Sequence, residues 1–214
     1  MIPSDSSILH RYLETFSSPH DPLLGELERR THLETVWPQM MSGILQGRLL
    51  ELISRILRPA QILEIGTFTG YSAICLARGL QEGGKLITLE SNDEYEKIIR
   101  EFFGKAGITD RAELIIGDAR EIIPRLDTLF DLVFLDAGKK EYAAYYDLVI
   151  DKVRPGGILL ADNVLWDGKV LEAPEKMDEE TAAIHRFNRK VTDDPRVENF
   201  ILPLRDGIMM MRKK

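Results

Sequence analysis

The sequence predicts an α/β fold: a seven-stranded, mostly parallel sheet with helices on both faces, a terminal antiparallel hairpin and a helical cap before the first strand. Three observations carry this. From Gln61 onward, short β-branched or leucine-rich runs alternate with longer stretches whose apolar residues recur three and four apart. The last two runs are joined only by Pro203-Leu204-Arg205-Asp206, too short for a crossover helix. The chain before Gln61 holds helical patterns instead of strand patterns.

In chain order, the helical patterns of the cap are Ser7–Phe16, Leu23–Val36 and Gln46–Leu57, punctuated by Pro19, Pro22 and Pro38. The cap is too small to stand alone, so residues 1–58 and the sheet core 59–214 are read as one domain spanning 1–214. The strand runs are Gln61–Ile65, Lys85–Glu90, Ala112–Ile116, Asp131–Asp136 and Gly157–Asp162. Helical stretches at Ser72–Leu80, Asp93–Ala106, Arg120–Leu126, Glu141–Val153 and Asp178–Val191 supply crossovers long enough for parallel, right-handed connections. Val197–Leu202 and Gly207–Arg212 then pair antiparallel.

Composition bounds the function classes. A chain of 214 residues, 44% of them apolar, suits one domain with a sizeable core. No internal repeat, low-complexity tract or long Gly/Ser linker divides it. The formal charge, 28 − 35 = −7, disfavours a binding mode built on neutralising many phosphates. The single cysteine, Cys75, lies in an apolar run and reads as a buried inert thiol. The start, Met1-Ile2-Pro3-Ser4-Asp5-Ser6, has no basic stretch leading into an apolar one, and no window approaches the roughly 18 apolar residues of a membrane span. A soluble, cytoplasmic protein with no membrane partner is expected.

The first strand runs into Glu64-Ile65-Gly66-Thr67-Phe68-Thr69-Gly70-Tyr71-Ser72, where glycines let the backbone turn and approach a ligand at the carboxyl edge of the sheet. The pyrophosphate fingerprint Gly-x-Gly-x-x-Gly is absent, which argues against NAD or FAD. Glu64 would repel a phosphate and suits the cationic amino end of S-adenosylmethionine. Glu90 closes the second strand, from where an acidic side chain accepts both ribose hydroxyls of an adenosine; a solvated strand-end charge is the plainer alternative. Asp118 can reach an adenine amino group while Ala119 allows close approach of the ring, although Gly-Asp turns are common everywhere.

The fourth and fifth strands deliver Asp136 and the pair Asp162-Asn163 to the same edge. Three oxygen-bearing side chains suit a hard divalent ion such as Mg²⁺, with positions left for two vicinal phenolic oxygens. Asp at a strand end also serves as a helix cap or loop anchor, so Asp136 alone is an even choice between the two. Lys139, three residues on, is near enough to act as a general base, its neutral form favoured by a neighbouring cation and partial burial; an ordinary solvated pair with Lys140 is the alternative.

These residues resemble the cation-dependent O-methyltransferases, the family that includes caffeoyl-coenzyme A and catechol O-methyltransferases, in its small bacterial form. The resemblance covers most of the chain and is carried by Glu64–Ala73 (EIGTFTGYSA), Asp131–Lys139 (DLVFLDAGK), Tyr145-Tyr146, Arg154–Trp166 (RPGGILLADNVLW), Pro203–Gly207 and Arg212-Lys213. It implies a Rossmann-like class I methyltransferase fold, S-adenosyl-L-methionine as cofactor and a divalent cation, Mg²⁺ before Mn²⁺ or Ca²⁺. By resemblance, Asp136, Asp162 and Asn163 are the metal ligands and Lys139 the base, with Asp136 part of the catalytic set. The cofactor contacts are Met40, Ser42, Glu64, Gly66, Thr67, Ser72, Glu90, Asp118, Ala119 and Asp136. Trp166 and Asp167 fall in segments that resemble the substrate wall, as does Trp37, and large aromatics there also simply pack. One departure stands out: where the family usually has Asp-Ala-Asp-Lys, this chain has Asp136-Ala137-Gly138-Lys139, so a cofactor-facing carboxylate is missing.

The function implied is methyl transfer to a hydroxyl of a small catechol-like acceptor. Two rivals are a transfer-RNA hydroxyuridine O-methyltransferase, which the acidic balance disfavours, and a binding module that has lost catalysis, which intact Asp136, Lys139, Asp162 and Asn163 disfavour. Family members often form homodimers, and Met40, Met41, Ile44 and Leu45 can serve an interface or cover the crevice.

Overall fold

A computed structural model describes residues 6–19 and 21–214 of the chain; the reading of the extreme N-terminus, residues 1–5, lies outside them. The cap consists of α1 (Ser6–Thr15), α2 (Pro22–Glu34) and α3 (Gly43–Leu57). Helix α2 begins where it does because the Asp21 carboxylate accepts the Leu23 N–H at 2.7 Å and Pro22 needs no partner for an N–H it lacks.

Seven strands follow: β1 (Gln61–Ile65), β2 (Lys85–Glu90), β3 (Ala112–Ile116), β4 (Phe130–Leu135), β5 (Val153–Ala161), β6 (Val197–Leu202) and β7 (Ile208–Lys213). They form one sheet in the order β3-β2-β1-β4-β5-β7-β6. Only β7 runs against the rest, paired antiparallel to both β5 and β6. The intervening helices are α4 (Tyr71–Ala77), α5 (Glu96–Lys105), α6 (Ala119–Ile122), α7 (Tyr142–Val149) and α8 (Glu179–Asp193).

The central strands are apolar without alternation because both faces are covered. Ile62, Leu132, Phe134 and Leu160 pack with residues of α2 to α5, whereas Leu63, Ile65, Val133, Leu135 and Leu159 pack with α7 and α8. The register sets the site. Ile65 lies beside Leu89 and Leu135, and Leu135 beside Ala161, so Gly66, Glu90, Asp136 and Asp162 leave the sheet at one level of one edge.

Element boundaries differ from expectation where proline or a bulge intervenes. Strand β5 starts at Val153 instead of Gly157, because Val153 pairs with Phe130 and an irregular register before Leu132 absorbs Arg154-Pro155-Gly156. Strands β4 and β5 stop one residue short of Asp136 and Asp162. The stretch after Asp118 breaks at Pro124 into α6 and a 3-10 turn, Ile123–Arg125. Cys75 is buried as expected, and that burial pushes its thiol up to about 12. Among the described residues no helix is long and apolar enough to cross a membrane.

Candidate active site

One cavity of about 760 Å³ opens at the carboxyl edge of the sheet. It gathers most of the residues singled out from sequence: Met40, Ser42, Gly66, Thr67, Ser72, Glu90, Asp118 and Ala119 line it together with Asp136, Lys139, Asp162, Asn163 and Trp166. Three are placed elsewhere. Trp37 is exposed and does not line the cavity. Glu64 has no exposed surface and lies beneath the cavity wall. Asp167 is exposed and does not line the cavity, and its N–H is given to Asp206 Oδ1 at 2.5 Å.

At the cofactor end, each oxygen of Glu90 is held by a backbone N–H, Oε2 by Phe68 at 2.7 Å and Oε1 by Asn92 at 2.9 Å. The carboxylate is thereby aimed while keeping further lone pairs for hydroxyls. Asp118 is less free than expected: it caps Arg120 N at 2.8 Å and binds the same residue's guanidinium at 2.6 Å. Thr67 turns its hydroxyl to Thr88, which donates to Glu64 Oε2 at 2.5 Å. Glu64 Oε1 is buried without a hydrogen-bond partner.

Burial therefore dominates Glu64 and pushes its carboxyl up to about 8, against the pull of the Ser72 and Thr88 hydroxyls. Since the folded value lies above the ordinary 4.5, the protonated form is the one the fold favours. The associated stability is fully present below pH 4.5 and is lost as pH rises through about 8. A shift of that size corresponds to at most about 5 kcal/mol. The Glu64→Gln variant is expected to flatten this dependence, so urea unfolding of the ligand-free chain at pH 5 and pH 9 should differ less than in the parent; equal pH dependence would refute the assignment.

At the other end, Lys139 Nζ pairs with Asp136 Oδ1 at 2.8 Å and Tyr142 OH at 2.7 Å, and Tyr142 in turn donates to the Asp162 carbonyl at 3.0 Å. Burial opposes the ammonium charge, but Asp136 and Tyr142 outweigh it and the pKa is raised. The chain alone therefore holds Lys139 charged, and the neutral amine expected beside a cation requires that Asp136's charge be engaged by something else. Asp162 is pushed up to about 6, first by burial and then by the negative charge of Asp136.

Two carboxylates in mutual repulsion fit a divalent cation. Among the described residues no set of three His, Cys, Asp or Glu side chains gathers as a metal site; the third candidate donor here is an amide. Asn163, in a left-handed conformation (φ 56) that asparagine tolerates, gives its Nδ2 to Asp206 Oδ2 at 3.4 Å, which leaves Oδ1 available. Two carboxylates and a carbonyl oxygen form a hard donor set.

The gap at Gly138 is filled. A Cβ there would stand 2.7 Å from Glu141 Oε2, so the Glu141 carboxylate folds back over the glycine at the cavity wall. Sequence reasoning passed over Glu141, Tyr142, Gln46 and Arg205. For Gln46 the available signal was a polar residue inside an apolar helical pattern.

A model of the O-methyltransferase family matches residues 14–214. Catechol O-methyltransferase domain-containing protein 1 of Mus musculus is 32% identical over 218 residues, covering 100% of this chain and 82% of its own. Caffeoyl-CoA O-methyltransferase of Eucalyptus gunnii is 30% identical, with coverage of 97% and 88%. A methyltransferase of Podospora anserina, solved with S-adenosylhomocysteine bound, superposes with a TM-score of 0.90 at 31% identity, covering 100% of this chain and 98% of its own. An O-methyltransferase of Bacillus cereus, also solved with S-adenosylhomocysteine, gives 0.89 at 30% identity, with 97% of each chain covered. With nearly its whole length matched in both sequence and fold, this chain belongs to the O-methyltransferase family.

Proposed function

We propose that the protein transfers the methyl group of S-adenosylmethionine to a hydroxyl of a small catechol-like acceptor in a reaction that depends on a divalent cation. The observation that carries this is the one cavity shared by the aimed carboxylate of Glu90 and the oxygen donors Asp136, Asp162 and Asn163, with Lys139 paired to Asp136.

In this reading Glu90 holds the ribose and Ser42, Gly66 and Ser72 border the methionine end, fixing the sulfonium methyl toward Asp136. Held by Asp136, Asp162 and Asn163, a cation such as Mg²⁺ would orient and acidify vicinal phenolic oxygens. With the charge of Asp136 engaged by that cation, Lys139 would turn neutral and take the hydroxyl proton, while Tyr142 holds its Nζ. The acceptor oxygen forms its bond to the methyl carbon as the S–C bond breaks, and the electron pair stays on sulfur to give the neutral thioether. Trp166, on the wall, packs against the acceptor. The chemistry asks the chain chiefly for alignment, which alone supplies several kcal/mol.

Glu141 takes over the carboxylate that Gly138 lacks. Glu141→Ala should weaken S-adenosylhomocysteine binding about twentyfold, the value of one hydrogen bond to a charged group at about 2 kcal/mol, and adding Gly138→Asp should restore it. Calorimetry on the two variants decides; a double variant no better than Glu141→Ala would refute the substitution of roles.

The function itself is tested with labelled S-adenosylmethionine, with Mg²⁺ or with EDTA, against a catechol panel and undermodified transfer RNA. Metal-dependent label in catechols is expected. Metal-independent transfer, or transfer to transfer RNA alone, would overturn the reading.

A further inference from the structure

Gln46 is polar yet fully buried in α3, and both ends of its amide are taken. Its Nε2 donates to Asp162 Oδ2 at 2.7 Å, and its Oε1 accepts from Arg205 Nη1 at 3.2 Å. A buried amide with one end unpartnered costs about 1–3 kcal/mol, so these two contacts fix which way the amide points.

The same Nη1 donates to the carbonyls of Met41, at 3.1 Å, and Ser42, in the turn that lines the cavity and leads into α3. Arg205 reaches them from the β6–β7 turn with a left-handed backbone (φ 51), a conformation that costs a non-glycine residue about 1 kcal/mol or more. The neighbouring Asp206 accepts from Asn163 Nδ2 at 3.4 Å. One turn thus touches the cofactor-facing segment of the cap and, through Gln46 and Asp206, both Asp162 and Asn163.

We propose that Arg205 and Gln46 form a positioning clasp that holds Asp162 in register with the Met41–Ser42 turn, so that cation and cofactor strengthen each other's binding. The inference rests on the cation and cofactor reading given above. Neither residue meets the reacting atoms. Their effect passes through the side chain of Asp162 and the backbone of residues 41 and 42, which the clasp makes parts of one hydrogen-bonded unit.

The test is a linkage measurement on the whole chain without acceptor: Mn²⁺ affinity by electron paramagnetic resonance with and without saturating S-adenosylhomocysteine, and the reverse titration by calorimetry. Each ligand should raise affinity for the other by the same factor, about tenfold. Arg205→Gly removes the guanidinium, and the relief of left-handed strain offsets part of the cost of leaving Gln46 Oε1 unpartnered, so its melting temperature should fall by no more than a few degrees. Gln46→Met keeps side-chain length without the amide. Coupling should fall to within about twofold of none in both and be partly kept in Arg205→Lys, which retains a donor. Full coupling in Arg205→Gly and Gln46→Met, or none in the parent, overturns the clasp. A parent that binds S-adenosylhomocysteine but no Mn²⁺ overturns the cation reading and the clasp together; coupling that survives in the variants overturns the clasp alone.

Discussion

Asp162→Asn is expected to lower metal-dependent methyl transfer about a thousandfold, the scale of losing a charge-stabilising cation from a transition state, while leaving the fold nearly as stable as before. The two effects separate because Asp162 is placed at a cost. It is only 3% exposed, faces the charge of Asp136, and has its pKa pushed up to about 6 by burial and that repulsion. Removing its charge relieves the repulsion. Against this, an amide nitrogen must face either Gln46 Nε2, now 2.7 Å from Oδ2, or Asn163 N, 2.8 Å from Oδ1, and one hydrogen bond is lost. That loss is worth about 1 kcal/mol. Initial rates at saturating Mg²⁺ with thermal melting of the same preparations check both halves. Turnover within tenfold of the parent would sink the metal assignment, and a collapse of the fold would show Asp162 to be chiefly structural.

How much of this was readable beforehand follows from where the forces act. The sheet was legible because its central strands are buried on both faces, so Leu132–Leu135 and Ile158–Ala161 appear as unbroken apolar runs. The hairpin was legible from the length of one connection. The oxygen donors were legible because strand ends are fixed by those runs, and Asp136 and Asp162 each follow by one residue. What sequence could not show is how side chains divide their partners across the fold. The contact of Gln46 with Asp162 spans 116 residues and that of Arg205 with Met41 spans 164; no local pattern encodes either. The pairing of Asp118 with Arg120 and of Lys139 with Asp136 was hidden for the same reason. Glu141 was missed because its relation to Gly138 is one of space, and a missing side chain leaves room that sequence does not describe.

Gly66→Ala should produce the largest loss of stability, about 3–5 kcal/mol, or a fall in melting temperature of about 10 °C for a chain of this size. Two independent penalties combine. The backbone at Gly66 has φ 97, a region closed to side chains carrying a Cβ. The added Cβ would also stand 1.9 Å from the Asp136 carbonyl oxygen and 2.7 Å from its carbon. That neighbour is backbone and cannot swing aside, because Asp136 N is bonded to Ile65 O at 2.9 Å and Gly66 N to Leu89 O at 2.9 Å. Relief requires the ends of β1 and β4 to part, which carries Asp136 and Lys139 away from the cavity, and displacement of about 1 Å is enough to cost a hundredfold in rate. Gly70→Ala separates the penalties: its φ of 95 brings comparable strain, but the nearest atom to a Cβ is the Phe103 ring edge at 3.2 Å. The second variant should therefore melt well above the first and keep most of its activity. Equal losses at both glycines would mean that conformational strain, and not the closeness of β1 to β4, accounts for Gly66.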